Sequence, residues 1–383
     1  MNTAKSFGAI GDGITDDTTA IQSWLNAGGY LLEDGVYKIT STLALTATGR
    51  KFATSGARLL AGTQDMTMMT VTGDDCAISG HFSGNSLAAA GVYVTGSRAV
   101  IENGRYEDIR ATAAQDARAI NVSTAGGVTV RRNTILRTHN AKAGGFCRAI
   151  AVNSTTAATG YTAVTDNIID GVTGSEGDAI QILFNDGGNV FLDARAVIAQ
   201  NNIRNASRRF IKVQGSNTLV KDNVIRFDTV TTPELPSNYI NAFQSDNVTI
   251  TGNDIGAGLL STPIAVTGIA ARRAKGITIR DNIIRQDNAR DVTSIFLDYV
   301  EDGAVTDNLC FGGGTCVAIG NSQNVIVDRT IGFGGLASRR TAFGTSSNTN
   351  VIIRSAANMN AERTAPIQTD GTGNKAELNW GMK

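Results

Sequence analysis

The feature that most constrains this chain is a short phrase that keeps returning. "VTVRRNTI" (128–135) is echoed by "AVTDNII" (163–169), "VIAQNNI" (197–203) and "LVKDNVI" (219–225). It returns as "VTITGNDI" (248–255), "ITIRDNII" (277–284) and "AVTDNLC" (304–310). Alignment superposes Asn133, Asn167, Asn202, Asn223, Asn253, Asn282 and Asn308 at unequal intervals. A second alternating strand precedes each phrase: "RAINV" (118–122), "RAIAV" (148–152), "DAIQI" (178–182), "RFIKV" (209–213), "NYINA" (238–242), "PIAV" (263–266) and "SIFL" (294–297). Two or three short strands cannot bury an apolar face alone, but coaxially stacked units can. Inward residues such as Ile120, Ile150, Ile180 and Ile211 then sit above one another at about 4.8 Å. The pattern predicts an all-β, right-handed, single-stranded parallel β-helix of about ten to thirteen coils. A propeller needs a longer and more constant period. With 43 glycines and 4 prolines, the chain turns often and has little rigid linker.

One stretch departs from strand and turn. "FGAIGDGITDDTTAIQSWL" (7–25) reads as a turn followed by a short amphipathic helix. Ala20, Ile21, Trp24 and Leu25 form its apolar stripe, Thr15 or Asp16 is the expected N-cap, and Gly28-Gly29 ends it. A stack of coils exposes an open sheet edge and core at its end, so the helix is expected to be a plug. Trp24 then belongs to the packing and not to a sugar platform. The expected organisation is a cap over 1–45, the β-helix over 46–357 and a C-terminal cap or tail over 358–383.

That N-terminal stretch, with "GGYLLEDGVYKITSTLAL" after it, resembles the cap of pectate-lyase-like β-helix proteins. The group includes polysaccharide lyases, galacturonan hydrolases, alginate epimerases and bacteriophage tailspikes. The resemblance is specific over about residues 4–45 and generic over the coils, and it speaks for the fold more than for the reaction. It implies a tailspike-like depolymerase that hydrolyses a bacterial surface polysaccharide, capsule or O-antigen, as a homotrimer. A uronate lyase or epimerase and a non-catalytic adhesin are the alternatives. The Asp-Pro-His signature of the epimerases and the aspartate-rich patterns of the galacturonan hydrolases are absent. Outward apolar residues such as Phe296 and Phe343 are the expected trimer contacts.

Charge narrows the partners. The 34 basic and 34 acidic side chains balance, which argues against a general nucleic-acid or anionic-membrane binder. No apolar run is long enough to span a bilayer, and "MNTAKSFGAIGDG" lacks the apolar core of a secretory signal. A virion or extracellular location is expected. Cys76, Cys147, Cys310 and Cys316 lack zinc spacing and read as small buried residues. No metal or cofactor is expected.

The asparagine column reads as structural, since stacked amides bond from coil to coil and an active site needs a group once. Asp166, Asp222, Asp281 and Asp307 recur before it as turn residues. Functional residues should instead break the repeat. The outer face of the first strands reads Asn121, Ala151, Gln181, Lys212, Asn241, Ala265 and Phe296. "GSEGDAIQI" (174–182) stands out, because Glu176 and Asp178 share a strand face at about 6.6 Å between α-carbons. Such a pair suits glycosidase chemistry, with Glu176 as acid and Asp178 as base or nucleophile. The competing reading is two solvated turn carboxylates compensated by Arg148 and Arg209. Arg118, Arg148, Gln181, Arg209, Lys212, Tyr239 and Asn241 are the candidate substrate contacts. Asp298 and Glu301 in "LDYVED" form an alternative pair. His81 and His139 lack a nucleophile pattern and read as surface or turn residues. The insertions at 183–196, 226–238 and 255–263, one stiffened by Pro233 and Pro236, are expected to wall a groove.

Overall fold

The structure, a computed structural model, describes residues 3–112, 114–188, 190–228, 236–257, 266–286, 292–333, 343–346, 348–349, 351–358, 367–368, 371–372 and 375–376. The chain divides into two compact units, Met1–Asn189 with Ala194–Ala196, and Val190–Asp193 with Val197–Lys383. Each is a right-handed parallel β-helix in which every strand pairs with its counterpart one coil away. In the first unit, Met69, Val92, Ile120, Ile150 and Ile180 stack along the first strands of successive coils. Ile78, Ile101, Val130 and Val164 stack along the second strands. Phe82, Tyr106, Ile135 and Ile169 stack along the third, the Phe82 and Tyr106 rings lying parallel at 5.1 Å. All of these side chains are buried. In the second unit the columns are Ile211, Ile240, Ile269, Ile295 and Val317; Val220, Ile250, Ile279, Val305 and Val327; and Ile225, Ile255, Ile284 and Cys310. Cys310 is a column member like any aliphatic residue, and the four cysteines are buried and free. Parallel pairing continues as far as Lys375–Ala376.

The strand expected at 263–266 is set too early. The observed strand is Thr267–Lys275, with Ile269 opposite Ile240 and Ala270 opposite Asn241. Ala270 therefore holds the outer position assigned to Ala265, which lies outside the described residues. Two of the three loops expected to wall a groove fall partly there too, at 229–235, which includes Pro233, and at 258–265, whereas the ends of the third, 183–184 and 193–196, belong to the strands Glu176–Phe184 and Asp193–Ala199.

The asparagine column is a ladder of buried amides. In the first unit Asn133 Nδ2 donates to Asn167 Oδ1 at 3.1 Å, and Asn133 Oδ1 accepts from the Gly104 amide at 2.9 Å. In the second unit Asn201, Asn223, Asn253 and Asn282 each donate to the Oδ1 of the next member, ending at Asn308, at 2.9 Å every time. Each amide also bonds main-chain groups, as when Asn223 Nδ2 donates to the Ile198 carbonyl at 3.0 Å. The member from "AQNN" is Asn201, not Asn202. The residue before the column takes a left-handed turn, with φ of 54° to 58° at Arg132, Asp166, Asp222, Asp281 and Asp307. Gln200 takes that role, at φ 58°, so Asn201 enters the core and Asn202 starts the next strand opposite Val224. Asn223→Ala should lower stability by about 1–3 kcal/mol, since it leaves buried donors and acceptors unmade. Denaturant titration checks this, and an unchanged midpoint would remove the ladder from the account of stability.

The helix spans Thr18–Asn26 and buries Ile21, Trp24 and Leu25, while Ala20 is half-buried. Its N-cap is Asp17, one residue beyond the expected Asp16. The Asp17 carboxylate accepts from the amides of Ile10 and Gly11 at 2.6 and 3.0 Å, which pins the "FGAIG" turn to the helix start. Asp16 Oδ1 takes the Thr18 amide at 3.1 Å. Gln22 bonds both backbone groups of Ala44, tying the helix to the coil beneath it. Trp24 is 1% exposed and cannot meet a sugar. Gly29 packs against its ring so closely that a Cβ there would lie 2.1 Å from Cε2. The helix is a plug.

Candidate functional site

The first strands of the first unit carry the outward polar groups. Ala90–Val94, Ala117–Ser123, Phe146–Ser154 and Glu176–Phe184 pair in parallel. Their register sets Ala90, Arg118, Arg148 and Asp178 in one row, and Tyr93, Asn121, Ala151 and Gln181 in another. Strict alternation fails between these rows. Ala119 and Ile120 are both buried, as are Ala149 and Ile150, so two consecutive residues face inward before the strand resumes its period.

Arg148 and Asp178 form an ion pair at 3.1 Å with side chains 1% and 0% exposed. Arg148 Nε donates to Gln181 Oε1 at 2.6 Å, and Nη1 donates to the carbonyls of Cys147 and Glu176. The guanidinium also lies 5.0 Å from the centroid of the Phe146 ring, which is itself 46% exposed. Arg148 thus ties two coils together through side-chain and main-chain bonds, at the cost of desolvating two charges. Glu176 stands opposite Phe146 in the register and keeps a partly exposed side chain. The compensating arginine foreseen for Asp178 is present, but the pair is buried and not solvated.

Beside this pair lies a cleft of about 420 Å³ lined by Asp65, Tyr93, Asp116, Arg118, Asn121 and Asn153, among others. Arg118 donates to Asp116 at 2.9 Å, and Asp116 also accepts from the Phe146 amide at 3.0 Å. Desolvation raises the Asp65 pKa, but bonds from the Thr112 amide and hydroxyl outweigh it and hold the carboxyl below its ordinary value. Of this lining, the sequence pattern singles out Arg118 and Asn121 but not Tyr93 or Asn153. Tyr93 was within reach, since "GVYVTG" is an early copy of the repeat and places Tyr93 in the Asn121 slot.

The remaining candidates lie in the second unit. Arg209 pairs in register with Asn238, and Lys212 with Asn241. Tyr239, expected to touch substrate, is wholly buried with its ring 5.0 Å from that of Phe210. The slip in alternation is again the reason, because Tyr239 and Ile240 both face the core. Phe296 is half-buried under the Arg272 guanidinium, 4.9 Å from its ring centroid, so its outer face is already covered. The Phe343 side chain lies outside the described residues. Asp298 accepts from Asn321 Nδ2 at 2.9 Å, and Glu301 pairs with Lys275 at 3.2 Å. Among the described residues, no three His, Cys, Asp or Glu side chains are placed to hold a metal ion. Among the described residues, no helix is long and apolar enough to cross a membrane.

The two histidines bond a threonine and a glutamate. His139 Nδ1 lies 2.8 Å from the Thr173 hydroxyl. His81 Nε2 lies 2.9 Å from Glu107, which also takes Arg105 at 2.8 Å. Desolvation raises the Glu107 pKa, yet the bonds from His81 and Arg105 outweigh it and the value falls below the ordinary one. A lowered folded-state pKa contributes stability above the unfolded value, and that stability is lost as pH falls through the folded value. Glu107→Gln should therefore melt below wild type at pH 7, with the gap closing below about pH 4. Melting curves across that range check the sign.

Three solved structures show the architecture directly. The N-terminal fragment of bacteriophage Phi29 gene product 12 superposes with a TM-score of 0.65 at 14% identity, covering 95% of this chain and 71% of that one. The fold is the right-handed parallel β-helix. PfbA, a surface adhesin of Streptococcus pneumoniae, shares this β-helix fold with a TM-score of 0.57 at 14% identity, over 87% and 90% of the two chains. The Yersinia enterocolitica family 28 exopolygalacturonase does so with a TM-score of 0.56 at 13% identity, over 91% and 77%. No family model matches the sequence, and no curated protein does. At such identities the likeness is one of fold, and one fold can carry several chemistries.

Proposed function

We propose that the protein binds a bacterial surface polysaccharide on the first-strand face of its first unit and cleaves it by hydrolysis. The observation that carries this reading is the buried Arg148–Asp178 pair beside an open polar cleft. Desolvated charges are costly to the fold and tend to be kept where they orient groups for chemistry. Here they hold Gln181, the Glu176 backbone and the Phe146 ring in place. A cleft lined by the half-buried Tyr93 and several amide, hydroxyl and carboxylate groups suits a sugar chain, which offers both apolar faces and hydroxyls. Glu176 is the substrate-facing carboxylate in this proposal, and Asp178 positions Arg148.

The test is mass analysis of a panel of capsules and O-antigens after incubation with the protein. Hydrolysis adds water at each new end. An unsaturated, ultraviolet-absorbing product would replace hydrolysis with elimination. A second reading, binding without cleavage, is favoured by Asp65 and Asp116, both already engaged by protein donors. Polymer retention with no new ends would establish it. A homotrimer acting outside the cell, on a virion or a cell surface, belongs to the same proposal. A 40 kDa species in sedimentation at micromolar concentration would remove the trimer from it.

A further inference from the structure

A second cleft opens in the first unit, on the turns between the first and second strands of successive coils. It measures about 430 Å³ and is lined by Ser97, Arg98, Gly126, Gly127, Thr159 and Tyr161, among others. Three of the lining residues are glycines, Gly126, Gly127 and Gly160. A Cβ on Gly126 would lie 1.9 Å from Ser97 Oγ, and one on Gly160 would lie 2.7 Å from the Gly126 carbonyl. Gly127 takes φ +74°, a left-handed turn that other residues rarely hold. The glycine turns therefore pack too closely on the neighbouring coils to admit a side chain, and the cleft lies over this side-chain-poor stretch. One aromatic side chain borders it. Tyr161 is 79% exposed.

Isolated exposed aromatics on a flat surface need no explanation, but one that borders a concave polar space has a ligand chemistry. The ring offers an apolar face, while Thr129, Thr159 and the turn peptides offer hydrogen-bonding groups around it. The charge of the cleft refines the class. Arg98 is the sole charged residue in the lining, and it is held by Asp75 at 2.8 Å and by Asp74 at 3.4 Å. No uncompensated cation remains there to favour a uronate or a phosphate.

We infer that the cleft beside Tyr161 is a second saccharide site, taking a neutral sugar residue stacked on the ring. It rests on the reading of the protein as a polysaccharide binder and adds a place where the same polymer is held away from the first-strand face. The two sites carry separate reporters, because Tyr93 lines the first-strand cleft and Tyr161 the turn cleft. The experiment follows ring-labelled tyrosine resonances, assigned with Tyr93→Phe and Tyr161→Phe, during titration with neutral gluco-, galacto- and xylo-oligosaccharides and with an oligogalacturonate. Tyr161 should shift with a neutral oligosaccharide and stay still with the oligogalacturonate. Tyr161→Ala, at an exposed position, should weaken the binding of that neutral sugar by about tenfold, and Tyr161→Phe should keep it. Shifts at Tyr161 alone uphold this site and count against the first-strand face. Shifts at Tyr93 alone, no shift at either ring, or unchanged binding by Tyr161→Ala overturn it.

Discussion

Arg148→Ala should cost the fold about 3–5 kcal/mol, the largest loss expected of any single change in the first unit. The reason is the environment and not the number of bonds. Arg148 and Asp178 are sealed from water, and the guanidinium also serves Gln181 and two backbone carbonyls. Truncation removes the positive charge and leaves those buried acceptors without a donor they now have. Replacing both charges with apolar groups of similar volume, as in Arg148→Met with Asp178→Leu, should recover most of the loss, because both desolvation costs disappear together. Denaturant midpoints of the single and double variants decide the matter. A single variant within about 1 kcal/mol of wild type would mean that the pair is solvated in solution.

How much of this was legible in the sequence differs with the kind of signal. The asparagine ladder was readable because one residue type recurs in one local context, and a turn of fixed hand precedes it. Its single misplacement, Asn202 for Asn201, arose where two asparagines adjoin and Gln200 takes the left-handed slot usually held by aspartate. The plug was readable from helical spacing, whereas the cap was not, because the Asp17 carboxylate serves Ile10 and Gly11 before the helix. Faces of the first strands were only half legible. A period of two sends residues flanking the central isoleucine outward, yet Ala119, Ala149 and Tyr239 face the core. The burial of Asp178 lay beyond local pattern altogether. It depends on Arg148, a coil earlier in the chain, and the register that sets them side by side is a property of stacking.

Glu176→Gln is the change that should most affect turnover, with an expected loss of about 10²–10⁴-fold. Glu176 opens the strand Glu176–Phe184, and its carbonyl accepts from Arg148, so its backbone is fixed by the buried pair while its side chain stays partly exposed. An amide keeps that shape and removes the proton that a general acid must deliver. Melting temperature and polysaccharide retention should stay close to wild type, which separates a chemical role from a structural one. Asp178→Asn makes the contrast. It weakens the charge opposite Arg148, so its effect should appear first as lost stability, with loss of turnover following from displacement of Arg148 and the Glu176 backbone. If Glu176→Gln cleaves polymer at the wild-type rate, the carboxylate chemistry is not on this strand, and Asp298 with Glu301 becomes the pair to replace. If wild type itself makes no new chain ends while retaining polymer, the Arg148–Asp178 pair shapes a binding surface, and the loss on replacing Arg148 should then be read in affinity.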